Sequence, residues 1–485
     1  MKKSIYSVLI VCILVLVSSC KKNITDLNIN PTRPTNVPSA SLFSNASLNL
    51  SDLMAHTNVN FNNYRLFVQY WTETIYRDET RYNLNQRSIS DRWWATLYRD
   101  IIQDLTAASK VAETETLALT AAQIQNRKAI NEILIVYAYY VLISSFGDVP
   151  YDEALNIENL QPKYDNAKTI FGKLATRLDA AIGNLDDTEP GYGSADLILG
   201  GDITGWMRFA YSLKMTMGML VVDDDFATAS AMVSDAAPHV ISSNAENIMI
   251  QYLSSPPNTN PVWEDLVQSG RHDFVAAKPF MDTLKKYADP RLPFFFNEAI
   301  TAGNGYVGQT PGLSAVYNNF SAPSDIVADP QNPHTFFSYA QMELLKAEAI
   351  ERGIAVGGTA EDHYNNGVRA SVEEWGGTSA QANTYLSQPR IEYGTGPGYK
   401  QQIGLQLWLA LYNRGYDAWT AWRRLDYPIL NVPSGALFAS GEAPAVIKRM
   451  TYPVIEQNLN KANYEAASAA IGLDQITQRL WFDKF

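Results

Sequence analysis

Ile130, Ile133, Leu134, Tyr137, Tyr140 and Val141 recur at helical spacing, with Asn131 and Glu132 off their line. The pattern predicts an amphipathic helix over 124–145, and Gly147 and Pro150 are the signals that end it. A second helix is expected from an Asp165 N-cap through Ile170, Leu174, Leu178 and Ile182. Two helices joined in this way form a hairpin, which cannot bury its own apolar face and needs a neighbour. The plan recurs downstream. Phe337 to Arg352 carries Tyr339, Met342, Leu345 and Ala349 and ends at Gly353. Thr359-Ala360-Glu361-Asp362 then reads as a capping pattern, and Tyr364, Val368, Val372 and Trp375 fall on one face. The chain is therefore expected to be all-α, a scaffold of helical hairpins.

The connections are long, at about 71–93, 190–205, 254–335 and 376–400, and the third is broken by Pro256, Pro257, Pro261, Pro279, Pro290, Pro293 and Pro311. Loops beyond roughly 12–15 residues inside a compact domain usually carry function. A binding site is expected there. The chain holds 10 Trp and 27 Tyr, residues that pair an apolar face with a polar edge. Most are expected in the core, and those in the loops are the candidates for ligand contact.

At the N-terminus, Lys2 and Lys3 precede an unbroken apolar run from Val8 to Val17, and Ser18-Ser19-Cys20 close it. This reads as a secretory signal with a lipoprotein processing site, because ten apolar residues fall short of the roughly 20 that span a bilayer. Residues 1–19 are assigned to the signal peptide, 20–40 to an extended leader rich in Asn and Pro, and 41–485 to a single domain. Cys20 is the expected lipidation site, and acyl chains on it hold the protein at a membrane. Cys12 is the only other cysteine and lies inside the signal, so the processed chain has no internal disulfide and depends on its core. With 46% apolar residues it can build one. Loss of two lysines with the signal takes the formal charge from −12 to −14. That balance argues against nucleic acid, and against membrane binding by any route but the lipid.

The residues that carry chemistry form no catalytic set. His56, His239, His272, His334 and His363 lack metal-ligand spacing, and no Gly-x-Ser-x-Gly elbow is present. Gly303-Asn304-Gly305-Tyr306-Val307-Gly308 matches a dinucleotide fingerprint as a string, but Pro311 and Gly312 follow where a helix would have to open, so it reads as a loop. Asp223-Asp224-Asp225 lacks the spacing of a calcium loop and reads as a solvated helix end. No cofactor and no metal are expected.

Several segments taken in order resemble the SusD/RagB family of outer-membrane nutrient-binding lipoproteins, its second large subgroup in particular. They are Asp26-Leu27-Asn28-Ile29-Asn30-Pro31, Phe146-Gly147-Asp148-Val149-Pro150-Tyr151 with Glu153-Ala154-Leu155, and Pro162-Lys163-Tyr164-Asp165. Further along come Trp206 to Leu213, Gly415-Tyr416-Asp417-Ala418-Trp419, Trp422-Arg423-Arg424-Leu425-Asp426-Tyr427-Pro428, and Lys448-Arg449-Met450-Thr451-Tyr452-Pro453 with Glu456 and Asn458. The resemblance implies a SusD-like fold with four tetratricopeptide-like helical hairpins, long irregular loops and minor β-hairpins. It also implies a partner, a SusC-like TonB-dependent transporter barrel, and a non-enzymatic role in capturing oligosaccharide or peptide outside the cell. The family's usual acidic export signal is replaced by Lys21 and Lys22, so a surface location rests on the resemblance. The large C-terminal residues Trp419, Trp422 and Arg424 are expected to pack, as are Gly147, Asp148 and Pro150.

A sugar ring presents C–H bonds on its face and hydroxyls at its edge, so it is matched by aromatic plates with Arg, Asn or Asp beside them. Two segments offer that combination. One holds Trp71, Tyr76, Arg77, Arg81, Tyr82 and Asn83, and the other holds Trp263, Arg271, His272 and Asp273, followed by Tyr306, Tyr317 and Asn318. The ligand-binding candidates are Trp71, Tyr76, Arg81, Tyr82, Trp263, Arg271, Tyr306 and Tyr317. Two other classes compete with nutrient capture, a lipoprotein glycoside hydrolase and a helical adaptor without a small ligand.

Overall fold

Helix α1 (Ser39–Ala55) begins two residues before the expected domain start, so Ser39 and Ala40 belong to its first turn and not to the leader. The computed structural model describes residues 37–84, 88–115 and 119–485, and Cys20 lies outside them. Next come strand β1 (Trp71–Glu73), then α2 (Ile89–Ala95), which runs through a π-helical stretch, Thr96–Ile102, into α3 (Gln103–Ala112). The chain continues through α4 (Ala121–Phe146), α5 (Ala167–Gly183), α6 (Ile203–Leu220), α7 (Phe226–Ala236), β2 (Ile248–Ile250), β3 (Phe274–Ala276), α8 (Lys278–Lys286) and β4 (His334–Phe337). It ends with α9 (Tyr339–Glu351), α10 (Ala360–Glu374), α11 (Ser379–Leu386), α12 (Tyr399–Ala410), α13 (Gly415–Leu425) and α14 (Lys461–Ala470). Consecutive helices pack as hairpins, α4 on α5, α6 on α7, α9 on α10 and α12 on α13. Ser39–Phe485 make one compact unit.

Helix α4 is more deeply placed than its sequence pattern suggests. It is long and apolar enough to cross a membrane, yet 94% of its most apolar window is buried inside the protein. Neighbouring helices cover it on several sides, so Asn131 is also fully buried, and its side-chain amide donates to Ser109 Oγ (3.0 Å) and the Tyr192 hydroxyl (2.8 Å). Thr120 and Gln123 form a reciprocal capping box at its start. At its end Gly147 takes φ +89°, and a Cβ there would lie 2.9 Å from Leu480 Cδ2. Asp148 Oδ1 then accepts from Ala167 N (2.8 Å), and the Tyr452 hydroxyl donates to Asp148 O (2.9 Å).

The N-cap of α5 is Asn166, one residue beyond the expected Asp165. Asp165 instead folds back onto the connection, where its Oδ2 accepts from Tyr151 N and Asp152 N at 3.0 and 2.9 Å. The run Asp223-Asp224-Asp225 is also more engaged than a solvated helix end. Asp223 pairs with Arg352 (2.7 Å), Asp224 with Lys168 (2.9 Å) and Lys484 (2.7 Å), and Asp225 caps α7 through Thr228 N. Three adjacent carboxylates repel unless each finds its own donor, and here each does.

Strands are few and short, and each pairs with a distant stretch. β1 runs antiparallel to β3 with Trp71 opposite Ala276 and Glu73 opposite Phe274, and β2 runs antiparallel to β4. The first of these pairs positions the candidate site.

Candidate functional site

The β1/β3 register joins the two candidate segments although about 200 residues separate them. The ladder continues past Glu73, where Thr74 N donates to Asp273 O (2.8 Å), Thr74 Oγ1 to His272 O (2.9 Å), and Ala315 N to Thr74 O (2.8 Å). Tyr76, Arg271 and the 315–317 turn are therefore neighbours. Between them and the loop that follows α1 lies an open cleft of about 320 Å³.

The cleft has an aromatic wall and a polar floor. Tyr76 is 59% exposed, and the Arg271 guanidinium carbon sits 5.8 Å from its ring centroid. Arg271 Nε donates to Asp273 Oδ2 (2.5 Å), which fixes the direction of the guanidinium. Beside Arg271, the His272 ring stacks on Tyr317 with centroids 4.4 Å apart. The floor carries Asn58, Asn60 and Asp265. Asn58 Oδ1 accepts from Asn60 Nδ2 (2.9 Å), and Asp265 Oδ2 accepts from Thr57 Oγ1 (2.7 Å). Glu73 lies under the aromatic loop, where its Oε2 accepts from Thr80 N (2.8 Å). Burial, with the carboxyl of Glu79 beside it, pushes the Glu73 carboxyl up to about 9, so it stays protonated at neutral pH.

The predicted residues divide on burial. Tyr76 and Arg271 line the cleft, and Tyr317 flanks it through His272. Trp71 is 1% exposed and Tyr82 is 4% exposed, so neither ring can serve as a plate for a ligand. Trp71 Nε1 donates inward to the Tyr412 hydroxyl (2.9 Å), and Tyr82 packs edge-on against Phe67 and Phe438. Arg81 is committed to the fold, its Nε donating to Gly312 O (2.9 Å) and tying the aromatic loop to the 312 turn. Trp263 is half-buried in the short helix Pro261–Trp263, and Tyr306 is half-buried against the core with its carbonyl held by Lys285 Nζ (3.0 Å); neither lines the cleft. Asn58, Asn60 and Asp265 were missed by sequence reasoning. For the two asparagines the signal was an Asn-rich turn, Asn58 to Asn63, soon after an apolar helix; Asp265, far along the chain, carried none.

This arrangement can hold a neutral ring with hydroxyls at its edge. Among the described residues no group of three or more His, Cys, Asp or Glu is arranged to hold a metal.

The family model described as "Starch-binding associating with outer membrane", SusD-like type 2, matches residues 31–453. The chain belongs to the SusD-like family. Solved SusD-like structures share the fold. A chitin-binding protein superposes with a TM-score of 0.77 at 24% identity, covering 92% of this chain and all of its own. A chitin-binding SusD homologue from Flavobacterium johnsoniae gives 0.78 at 19% identity, covering 92% and 98%. A SusD homologue from Bacteroides uniformis gives 0.79 at 22%, covering 92% and 99%. No curated protein is significantly similar in sequence. SusD-like proteins are binding proteins associated with the outer membrane, and the family motifs of this chain have packing roles. Trp419 Nε1 donates to Ile447 O (2.9 Å), Trp422 Nε1 donates to Pro428 O (2.9 Å), and Arg424 pairs with the fully buried Glu348.

Proposed function

We propose that this protein is a cell-surface glycan-binding lipoprotein, anchored through Cys20, that hands an oligosaccharide to a SusC-like TonB-dependent barrel. The observation that carries the reading is the cleft in which exposed Tyr76, braced by Arg271, faces a floor of Asn58, Asn60 and Asp265. An aromatic face takes the apolar side of a sugar ring, and amide and carboxylate groups take its hydroxyls. The chitin-binding neighbours make chito-oligosaccharides the first ligands to try, with starch oligosaccharides beside them.

Titration calorimetry with both series tests the site. Tyr76→Ala is expected to weaken binding at least tenfold with the melting temperature unchanged, and the glycan is expected to be recovered intact. Equal affinity in the variant removes the cleft as the site, and cleavage of the glycan replaces capture with hydrolysis. Cys20→Ala is expected to release the protein from the membrane fraction, and the intact protein is expected to co-purify with a β-barrel transporter.

A further inference from the structure

The cleft of about 320 Å³ lies at the small end of ligand sites, which run from roughly 300 to 1,000 Å³, so a long glycan chain has to leave it. On one side its wall is thin. The loop after α1 gives Thr57, Asn58 and Asn60 to the cleft, and it gives the flanking His56 and Phe61 to a groove of about 590 Å³ between α1 and the helix formed by α2 and its π-helical continuation. The two openings meet at one pair of side chains. His56 lines the groove, Asp265 lines the cleft, and His56 Nδ1 lies 3.5 Å from Asp265 Oδ2.

The groove repeats the construction of the cleft. Each opening has an arginine laid against an aromatic ring, Arg271 on Tyr76 in the cleft and Arg92 on Phe61 in the groove. The Arg92 guanidinium carbon is 4.9 Å from the Phe61 ring centroid, and the His56 ring stacks on the same Phe61 at 4.7 Å. Each opening is also bordered by a π-helical turn, a rare element that is frequent at functional sites, with Asp265 on one and Thr96 and Arg99 on the other. The difference lies in what is left open. Arg271 is tied to Asp273, whereas the exposed guanidinium of Arg92 forms no hydrogen bond or ion pair with a described residue, and neither do the side chains of Asn49 and Thr96 that share the groove. The acids there are occupied. Asp100 pairs with Arg99 (2.6 Å), Asp91 Oδ1 accepts from Val454 N (2.7 Å), and Asp52 Oδ1 accepts from the Tyr252 hydroxyl (2.8 Å). Three carboxyl groups set against two arginines disfavour a polyanion. An open amide, hydroxyl and guanidinium fork suit the hydroxyl and acetamido groups of an uncharged sugar chain.

We propose, on the reading of the cleft as a glycan site, that the groove continues it, so that the ligand is a linear, uncharged oligosaccharide long enough to cross the loop after α1 from Tyr76 to Arg92. One end of the chain stacks on Tyr76. The remainder passes over Asn58 and Asn60 and hydrogen-bonds to Arg92, Asn49 and Thr96.

Calorimetry with the dimer and the hexamer of the chito- and malto-oligosaccharide series tests this on the full chain and on its Arg92→Ala and Asn49→Ala variants. The hexamer is expected to bind at least tenfold tighter than the dimer of the same series. Either substitution is expected to remove most of that gain while leaving the dimer's affinity unchanged, and crystals soaked with the hexamer are expected to show rings in the groove within hydrogen-bond distance of Arg92. Equal affinity for dimer and hexamer overturns the extension and leaves the cleft standing as the site. A hexamer gain that both substitutions leave intact does the same, because the chain then leaves the cleft by another side. Binding of neither series overturns the extension together with the glycan reading of the cleft.

Discussion

Tyr76 and Trp71 stand five positions apart and differ completely in what they do. The side chain of Trp71 is anchored by Tyr412, and the Arg65 guanidinium carbon lies 5.2 Å from its ring. Trp71→Ala is expected to cost about 3–5 kcal/mol of stability, read as a lower urea midpoint, and any loss of binding should follow the loss of fold. Tyr76 sits beyond the β1/β3 ladder, so under the proposed reading its removal is expected to weaken ligand binding and leave the urea midpoint unchanged. Glu73 offers a sharper test at the same scale. Its carboxyl titrates near 9 in the folded chain because of burial and the Glu79 carboxyl, against 4.5 when free. Between those values the folded state keeps a proton that the unfolded state releases, so this group's stability contribution is full below about pH 4.5 and falls as pH rises toward 9. Glu73→Gln preserves a neutral side chain and is expected to flatten that decline in denaturation series at pH 5, 7 and 9. Identical slopes in both proteins would mean that Glu73 is not the group responsible.

At the scale of elements, the ends of the helices decide the geometry more than their middles. Asn166 Oδ1 accepts from Lys168 N and Thr169 N at 3.2 and 3.3 Å, so Asn166→Ala is expected to lose about 1 kcal/mol. Gly147→Ala forces a side chain into a left-handed turn and against Leu480, and is expected to cost more, about 1–3 kcal/mol for the backbone alone. Thermal melts of the two variants rank them, and a smaller loss at Gly147 would contradict the close approach. Helix periodicity located α4, α5, α9 and α10 because 3.6-residue spacing is a local property of the chain. It placed the α5 cap one residue early because Asp165 and Asn166 are equally good caps in isolation. The difference lies in Tyr151 N and Asp152 N, which claim Asp165 from across the connection.

At the scale of the molecule, the last 70 residues lock onto the first hairpin. Arg423 is fully buried over the Trp419 ring, and its Nη1 donates to Ser144 O (2.7 Å) and Lys448 O (3.0 Å). Arg449 reaches Phe146 O (2.8 Å) and pairs with Asp474 (3.0 Å). Arg423→Met removes the donor from two buried carbonyls and is expected to cost about 3 kcal/mol or more, with the chain ends becoming susceptible to limited proteolysis before the core. Unchanged protease resistance would show that the clamp is dispensable.

The sequence alone determined the helical class, the hairpin plan, the family motifs and the loops in which aromatics cluster, because spacing and turn chemistry act over a few residues. It also placed Tyr76 and Arg271 among the candidates. Only the tertiary structure decided which aromatics face outward, because burial depends on partners distant in the chain. Tyr412 draws Trp71 inward, Phe67 and Phe438 enclose Tyr82, and the β1/β3 ladder carries Arg271 to Tyr76 above Asn58 and Asn60.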